Sequence, residues 1–387
     1  MSFKKDLLGF SLNSVMATER LLRGRQSPSS NVDSVLILEY MLPLGCCVHL
    51  TPVYEAIRQM RPDIMLTVAT RGIGLDLLRH NPAIDHLIGT PDPLRETFAA
   101  AKALRAELAH RKLRPSCTLT GASDQRSRIA LMALLAGAGW RGGFTLAPQL
   151  YHVPASYRRD QSLIDNNLQL AEVIGLKSEH YEPRVYFSSA DVESAEKLMQ
   201  FANPEGKPLL VMVTQASGGQ RTGWHDERFV QVIRYAHQTL SCAVVYVGTS
   251  ADSAAVERLR LAAGTGTSLT GQTSVTELAA LLAMSDAAVT LDTGTMHIGR
   301  AVGLPMVILG PSWQKPLEWL PLKTKNVRIL RGEDRDHAPV SYKLDEVQAE
   351  HAIEALTDLL HGYPANFEQR QARIERSLSS VDHRVSL

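Results

Sequence analysis

One stretch constrains this chain more than any other: Ala287-Ala288-Val289-Thr290-Leu291-Asp292-Thr293-Gly294-Thr295-Met296-His297-Ile298-Gly299-Arg300-Ala301-Val302-Gly303-Leu304-Pro305. Residues 287–291 read as a buried strand, Asp292 to Gly294 as a tight turn, and the residues up to Val302 as a helix that stops at Gly303. A second apolar run follows over 306–309. The small residues of the turn leave the first N–H groups of the helix bare, since none has a carbonyl partner within the helix. With the helix dipole they make a ready anion site, and Asp292 and Thr293 are residue types that favour a helix N-terminus.

The same alternation of strand and helix runs through the rest of the chain, twice. In the first half strands are expected at 35–38, 65–70, 86–88, 116–119 and 140–144, with helices at 46–61, 72–80, 94–111, 126–136 and 162–174. A composition shift at about 175–189 marks a boundary, and the pattern restarts. Strands follow at 209–214, 243–247 and 328–330, and helices at 227–239, 253–263, 275–284 and 344–360. A chain of 387 residues is too long for one ordinary domain. The expected class is therefore α/β, with two facing Rossmann-like domains of parallel sheet and a ligand in the cleft at the carboxyl ends of the strands. The expected division is 1–30, 31–185, 186–343 and 344–387.

Residues 3–25 predict an amphipathic helix, with Leu8, Leu12, Val15, Met16 and Leu22 on one side and Lys4, Lys5, Arg20, Arg23 and Arg25 around it. Three uses stay open for it: packing on its own domain, self-association with a second subunit, or peripheral contact with an anionic membrane. Residues 25–31 read as a linker. An apolar share of 44% and a charged share of 21% are ordinary for a globular chain, and a net charge of +1 gives no electrostatic case for nucleic acid as a partner. Cys46, Cys47, Cys117 and Cys242 have no metal or disulfide spacing, and nothing at the N-terminus has the pattern of a secretory signal. A reducing, cytoplasmic setting is expected.

No dinucleotide or P-loop fingerprint is present: Gly72-Ile73-Gly74 lacks the third glycine, and no glycine precedes Lys-Ser or Lys-Thr in the required spacing. Asp334-Arg335-Asp336 has the look of a metal-chelating Asp-x-Asp but sits among loop residues and reads as a solvated charged turn. No metal and no cofactor is expected. Two loops converge instead on an anion. One is the turn at Asp292. The other is Thr214-Gln215-Ala216-Ser217-Gly218-Gly219-Gln220-Arg221-Thr222-Gly223-Trp224, which follows a strand and combines small residues, hydroxyls and a cation suited to a phosphate.

The order Trp224-x-x-Glu227-Arg228-Phe229, Leu269-Thr270-Gly271-Gln272-Thr273-Ser274-x-x-Glu277, Asp292-Thr293-Gly294-x-Met296-His297, Gly303-x-Pro305 and Leu309-Gly310-Pro311-Ser312 resembles glycosyltransferase family nine, the ADP-heptose:lipopolysaccharide heptosyltransferases. The resemblance extends to the first half through Asn81-Pro82-x-Ile84-Asp85, so that about residues 34–320 are covered. It implies the GT-B architecture, with an acceptor domain over 31–185 and a nucleotide-sugar domain over 186–343. It also implies inverting, metal-independent transfer from an ADP-heptose-like donor to a glycan or glycolipid of the lipopolysaccharide type, at the inner face of the membrane. By position, Asp292, Thr293, Gly294, Thr295 and His297 are implied to surround the donor diphosphate, with Ser217 and Arg221 facing it. N–H groups, hydroxyls and a cation can stabilise a departing diphosphate in place of a metal.

Two positions depart from the family pattern. A lysine is usual two residues before the loop tryptophan, where this chain has Thr222, with Arg221 as the nearby cation. The family's Gly-Asp-x-x-x-x-x-Pro loop, which supplies a general base, here reads Gly45-Cys46-Cys47-Val48-His49-Leu50-Thr51-Pro52. A thiol does not serve naturally as base for a sugar hydroxyl. Three readings stay open: Glu39 or His49 is the base, the acceptor needs less help, or the chain is a scaffold that binds a nucleotide-sugar without transferring it. An epimerase of the same architecture is a further alternative.

Overall fold

The computed structural model describes residues 32–383 apart from 42, 178, 217–222, 314, 323 and 338–341. The helix expected over 3–25 lies outside the described residues. The chain divides into two compact units, Met1–Pro183 with His383–Leu387, and Arg184–Asp382.

Unit 1 holds a six-stranded sheet made of β1 (Ser34–Leu38), β2 (Met65–Thr70), β3 (His86–Gly89), β4 (Cys117–Thr120), β5 (Trp140–Gly143) and β6 (Val153–Pro154). The strands lie in the order β3-β2-β1-β4-β5-β6 and every pairing is parallel. Val35 to Leu38 are wholly buried, as a strand covered on both faces by helices requires. Each such aliphatic side chain contributes roughly 1.5–3 kcal/mol by leaving water. The helix Leu44–Met60 is buried almost all round from Gly45 to Ile57, so it forms part of the core rather than a surface cover.

Unit 2 repeats the plan with β7 (Leu209–Val213), β8 (Ala243–Tyr246), β9 (Thr267–Ser268), β10 (Ala287–Leu291), β11 (Met306–Leu309) and β12 (Val327–Leu330), ordered β12-β11-β10-β7-β8-β9. All these pairings are parallel too. Numbered from its own first strand, each sheet runs 3-2-1-4-5-6, the doubly wound order whose direction reverses between strands 1 and 4. The crevice at that reversal lies beyond the carboxyl ends of β1 and β4 in unit 1, and of β7 and β10 in unit 2.

Three helices are absent from the sequence-based expectation: Ser189–Ala202, the short Pro316–Trp319 and Phe367–Ser377. The first has one fully buried residue, Ala195, and is fixed at its start by a capping box between Ser188 and Asp191. The last is docked by charge. Arg370 makes a bidentate pair with Asp286, at 2.7 and 2.6 Å, and Arg373 donates to the carbonyls of Ala283 and Ser285. Neither helix carries the apolar stripe that betrays a helix in a sequence. The helix expected over 344–360 spans Ala349–Gly362, and with Phe367–Ser377 it falls within unit 2.

Candidate functional site

The reversal point of unit 2 carries the stretch with which the sequence reading began. The end of β10 delivers Asp292 into a fully buried position, and Thr293 caps the helix Gly294–Val302 with extended backbone but without a side-chain capping bond. The helix ends at Gly303 in the left-handed conformation, φ 80°, as expected of that glycine. Gly299 lies where an added Cβ would sit 2.7 Å from the Met306 sulfur, which lets the helix pack tightly on β11.

Neither carboxylate oxygen of Asp292 nor the Thr293 hydroxyl has a hydrogen-bond partner among the described residues, although all three are buried. Such groups are costly to leave unmet. His297 Nε2 lies 3.5 Å from Asp292 Oδ1, too long for a good hydrogen bond. Burial pushes the Asp292 carboxyl up to about 7, and burial with the nearby Arg300 charge pushes His297 down to about 3. Both groups thus favour their neutral forms, and a neutral carboxyl beside bare helix N–H groups does not repel an anion. The His297 ring also meets Trp319 edge-on, with centroids 6.3 Å apart. Ser217 and Arg221 lie outside the described residues.

Unit 1 offers a different arrangement at its own reversal point. Glu39 follows β1 and Asp124 follows β4. Both line a narrow crevice, too tight to hold a water molecule, together with Cys46, Leu50, Ser123 and Asn167. Glu39 Oε2 accepts a short hydrogen bond from the Tyr54 hydroxyl, while the buried Oε1 has no partner among the described residues. Burial pushes the Glu39 carboxyl up to about 8, helped by the Asp124 charge and opposed by Tyr54. Asp124 Oδ1 accepts from the backbone N–H groups of Tyr40 at 3.0 Å and Met41 at 2.9 Å, tying the loop after β4 to the loop after β1. Its carboxyl is pushed up to about 7 by burial, against the pull of those two N–H groups and of Arg126.

His49 is not among the walls of that crevice. It is buried in the central helix, and its carbonyl accepts from Asn167 Nδ2 at 3.0 Å. Asp124 was missed by the sequence reading. Its signal is an aspartate four residues beyond a strand, and nothing local distinguishes it from a turn residue.

Several motif residues prove to hold the fold. Trp224 is buried, packs edge-on against Phe229 and donates to the Val347 carbonyl at 2.8 Å, which pins the end of the glycine-rich loop. Ser274 and Glu277 form a capping box. Asp85 pairs with Arg58 at 2.6 Å. Asp334 meets Arg331, and Arg335 meets Glu346, so the Asp-x-Asp resemblance resolves into charged loop pairing. Among the described residues no group of His, Cys, Asp and Glu side chains is arranged to hold a metal.

Two doubly wound units in one chain, one with an unmet polar cluster at a helix N-terminus, are the fold of the GT-B glycosyltransferases. The model of glycosyltransferase family 9 (heptosyltransferase) matches residues 128–374. The chain belongs to that family. It is similar to lipooligosaccharide heptosyltransferase 2 of Haemophilus influenzae, at 26% identity over 192 residues. That match spans 45% of this chain and 55% of the relative, little more than half its length. Among solved structures the fold resembles a family 9 glycosyl transferase from Veillonella parvula, with TM-score 0.75 and 19% identity over 85% of this chain and 98% of that one. It also resembles E. coli ADP-heptose LPS heptosyltransferase II, with TM-score 0.69 and 18% identity over 86% of this chain and 100% of that one. A third similar structure is E. coli heptosyltransferase WaaC with ADP-2-deoxy-2-fluoro heptose, with TM-score 0.63 and 16% identity, covering 84% of this chain and 99% of that one.

Proposed function

We propose that the chain transfers a heptose-like sugar from an ADP-heptose-like donor to a glycan or glycolipid acceptor of the lipopolysaccharide type. The reaction is inverting and needs no metal, and it takes place on the cytoplasmic side of the inner membrane. No helix of the described residues is long and apolar enough to cross a membrane. The observation that carries the reading is the unmet cluster at the start of the helix Gly294–Val302, in a chain of this family. There Asp292, Thr293, Gly294, Thr295 and His297 hold the donor diphosphate, and Ser217 and Arg221 complete the site from the other loop.

The mechanism follows from charge. As the glycosidic bond to the diphosphate breaks, negative charge grows on the leaving oxygen. Backbone N–H groups, the Thr293 hydroxyl and the Arg221 cation stabilise it, the part a metal plays in other transferases. Unit 1 takes the acceptor, with a base drawn from the crevice at its reversal point. Of the two bases expected from sequence, Glu39 lines that crevice and His49 does not.

The test supplies purified protein with ADP-heptose and a lipopolysaccharide core acceptor and measures ADP release, with donor affinity followed by calorimetry. Transfer with the acceptor and none without it supports the reading; turnover of donor alone points to an epimerase. Arg221→Ala should weaken donor binding with the fold intact. The second reading, a scaffold that binds donor without transfer, draws support from Cys46 on the crevice wall, and donor binding with no release from any nucleotide-sugar would favour it.

A further inference from the structure

We propose that Asp124 is the general base for the acceptor hydroxyl, with Glu39 and Tyr54 as its positioning partners. This rests on the transferase reading above. The geometry is that of a crevice within unit 1, at the reversal point of the sheet, where two carboxyl side chains from opposite sides of that point share one wall. The crevice is too narrow for a water molecule to sit inside it, so the acceptor hydroxyl meets Asp124, itself 5% exposed, at the rim beside the half-buried Cys46 and Ser123. Glu39 Oε1 is enclosed and has no hydrogen bond among the described residues, so the deeper carboxyl is held from solvent and Asp124 is the one nearer the rim.

The two carboxyls divide the work by their surroundings. Glu39 is deeper, its Oε2 is taken by Tyr54, and the Asp124 charge discourages its ionisation. Asp124 receives two backbone N–H bonds, both on Oδ1, which support its anion. Asp124 therefore ionises first, and the pair carries one charge near neutral pH, the condition under which two close carboxyls take different parts. Cys46, on the same wall, offers a thiol that is a poor proton acceptor from an alcohol.

The step balances as follows. The acceptor O–H bond breaks and its proton goes to Asp124 Oδ2. The freed electron pair forms the bond from the acceptor oxygen to the anomeric carbon. The bond from that carbon to the diphosphate oxygen breaks, and its electron pair leaves with the nucleoside diphosphate. No oxidant, reductant or further reactant is needed.

The test compares wild-type chain with Asp124→Asn, using ADP-heptose and the core acceptor. An asparagine Oδ1 still accepts from Tyr40 and Met41, so the loop tie is kept while the base is removed. The expected result is a fall in kcat of about 10²–10⁴-fold with unchanged donor affinity. In Asp124→Asn, the added change Cys46→Asp should restore at least about tenfold of the loss by returning a carboxylate to the crevice, and this gain should exceed severalfold the gain from Cys46→Asp in the wild-type background; equal gains in the two backgrounds overturn the assignment. In wild type the acid limb of kcat/KM should have its midpoint near 7, and Asp124→Asn should abolish it. Turnover within about threefold of wild type, with the limb kept, overturns the assignment. Should Asp124→Asn fail to fold, a flat wild-type profile from about pH 5.5 to 8.5 overturns it equally. Wild-type protein that binds ADP-heptose but transfers nothing overturns the transferase reading itself and the base with it.

Discussion

Both sheets place a buried aspartate in the loop after their fourth strand, Asp124 in unit 1 and Asp292 in unit 2, and both carboxyls are pushed up to about 7 by burial. Their hydrogen bonding sets them apart. Asp124 is tied by two N–H groups of the loop after the first strand, and a second carboxyl stands beside it. Asp292 has a histidine 3.5 Å away and no hydrogen bond among the described residues. One fold plan thus yields two chemistries. A carboxyl held by donors keeps a defined position and suits proton exchange, whereas a neutral one without donors, at a helix N-terminus, leaves the helix N–H groups able to meet an anion.

The contrast is broken most directly at His297. If the unit 2 cluster grips a diphosphate, His297→Ala removes a hydrogen bond to a charged group, worth about 1.5–3 kcal/mol, and donor Kd should rise roughly 10- to 100-fold by calorimetry. Unchanged affinity would move the donor elsewhere. Next in size is Tyr54→Phe in unit 1. It strips the Tyr54 hydroxyl from a buried Glu39 and should lower unfolding free energy in urea by about 1–3 kcal/mol, while leaving donor affinity as it was. A loss of donor affinity there would show that the two sites are not the separate devices described.

Much of this plan is legible in the sequence, and its gaps have physical causes. Residues 253–263 and 275–284 are read to the residue, because helices with apolar periodicity and clear caps announce themselves. The turn at Asp292 is legible because strand, small turn residues and terminal glycine occur in one run. Helix Phe367–Ser377 is not, because it is held by Arg370 on Asp286, a pairing 84 residues apart that no local pattern encodes. Asp124 fails for the same reason, since its meaning comes from Tyr40 and Met41, which the crossing of the sheet brings beside it. His49 is the opposite case: helical spacing places it one turn from Cys46, and the structure has it buried in the central helix and not among the residues lining the crevice.

Donor binding should also depend on pH in a way that separates the two aspartates. Asp292 is neutral below about pH 7 and ionised above it, and the ionised form repels a diphosphate. A nucleotide-sugar diphosphate has no group of its own titrating in this range. Affinity should therefore be fully present at pH 6 and fall as pH rises through 7, reaching about a tenfold loss at pH 8 by simple linkage. Asp292→Asn should flatten the curve, and Asp124→Asn should not. A pH-independent Kd in wild type would mean that Asp292 does not face the diphosphate.

The smallest expected effect is the sharpest test of how the unit 1 pair is divided. Glu39 is held neutral up to about pH 8, so at pH 7 a glutamine at that position resembles the species already present. Its carbonyl oxygen can still accept from Tyr54, and its volume is nearly the same. Glu39→Gln should therefore change kcat by less than about threefold, whereas Asp124→Asn should cost orders of magnitude. The substitution also removes the one carboxylate that competes with Asp124 for ionisation. The midpoint of the kcat/KM limb should stay put or move slightly down, because a neutral neighbour no longer gains charge as pH rises. The reverse ranking, a large loss for Glu39→Gln and a small one for Asp124→Asn, would hand the proton to Glu39 and reduce Asp124 to a tie between two loops.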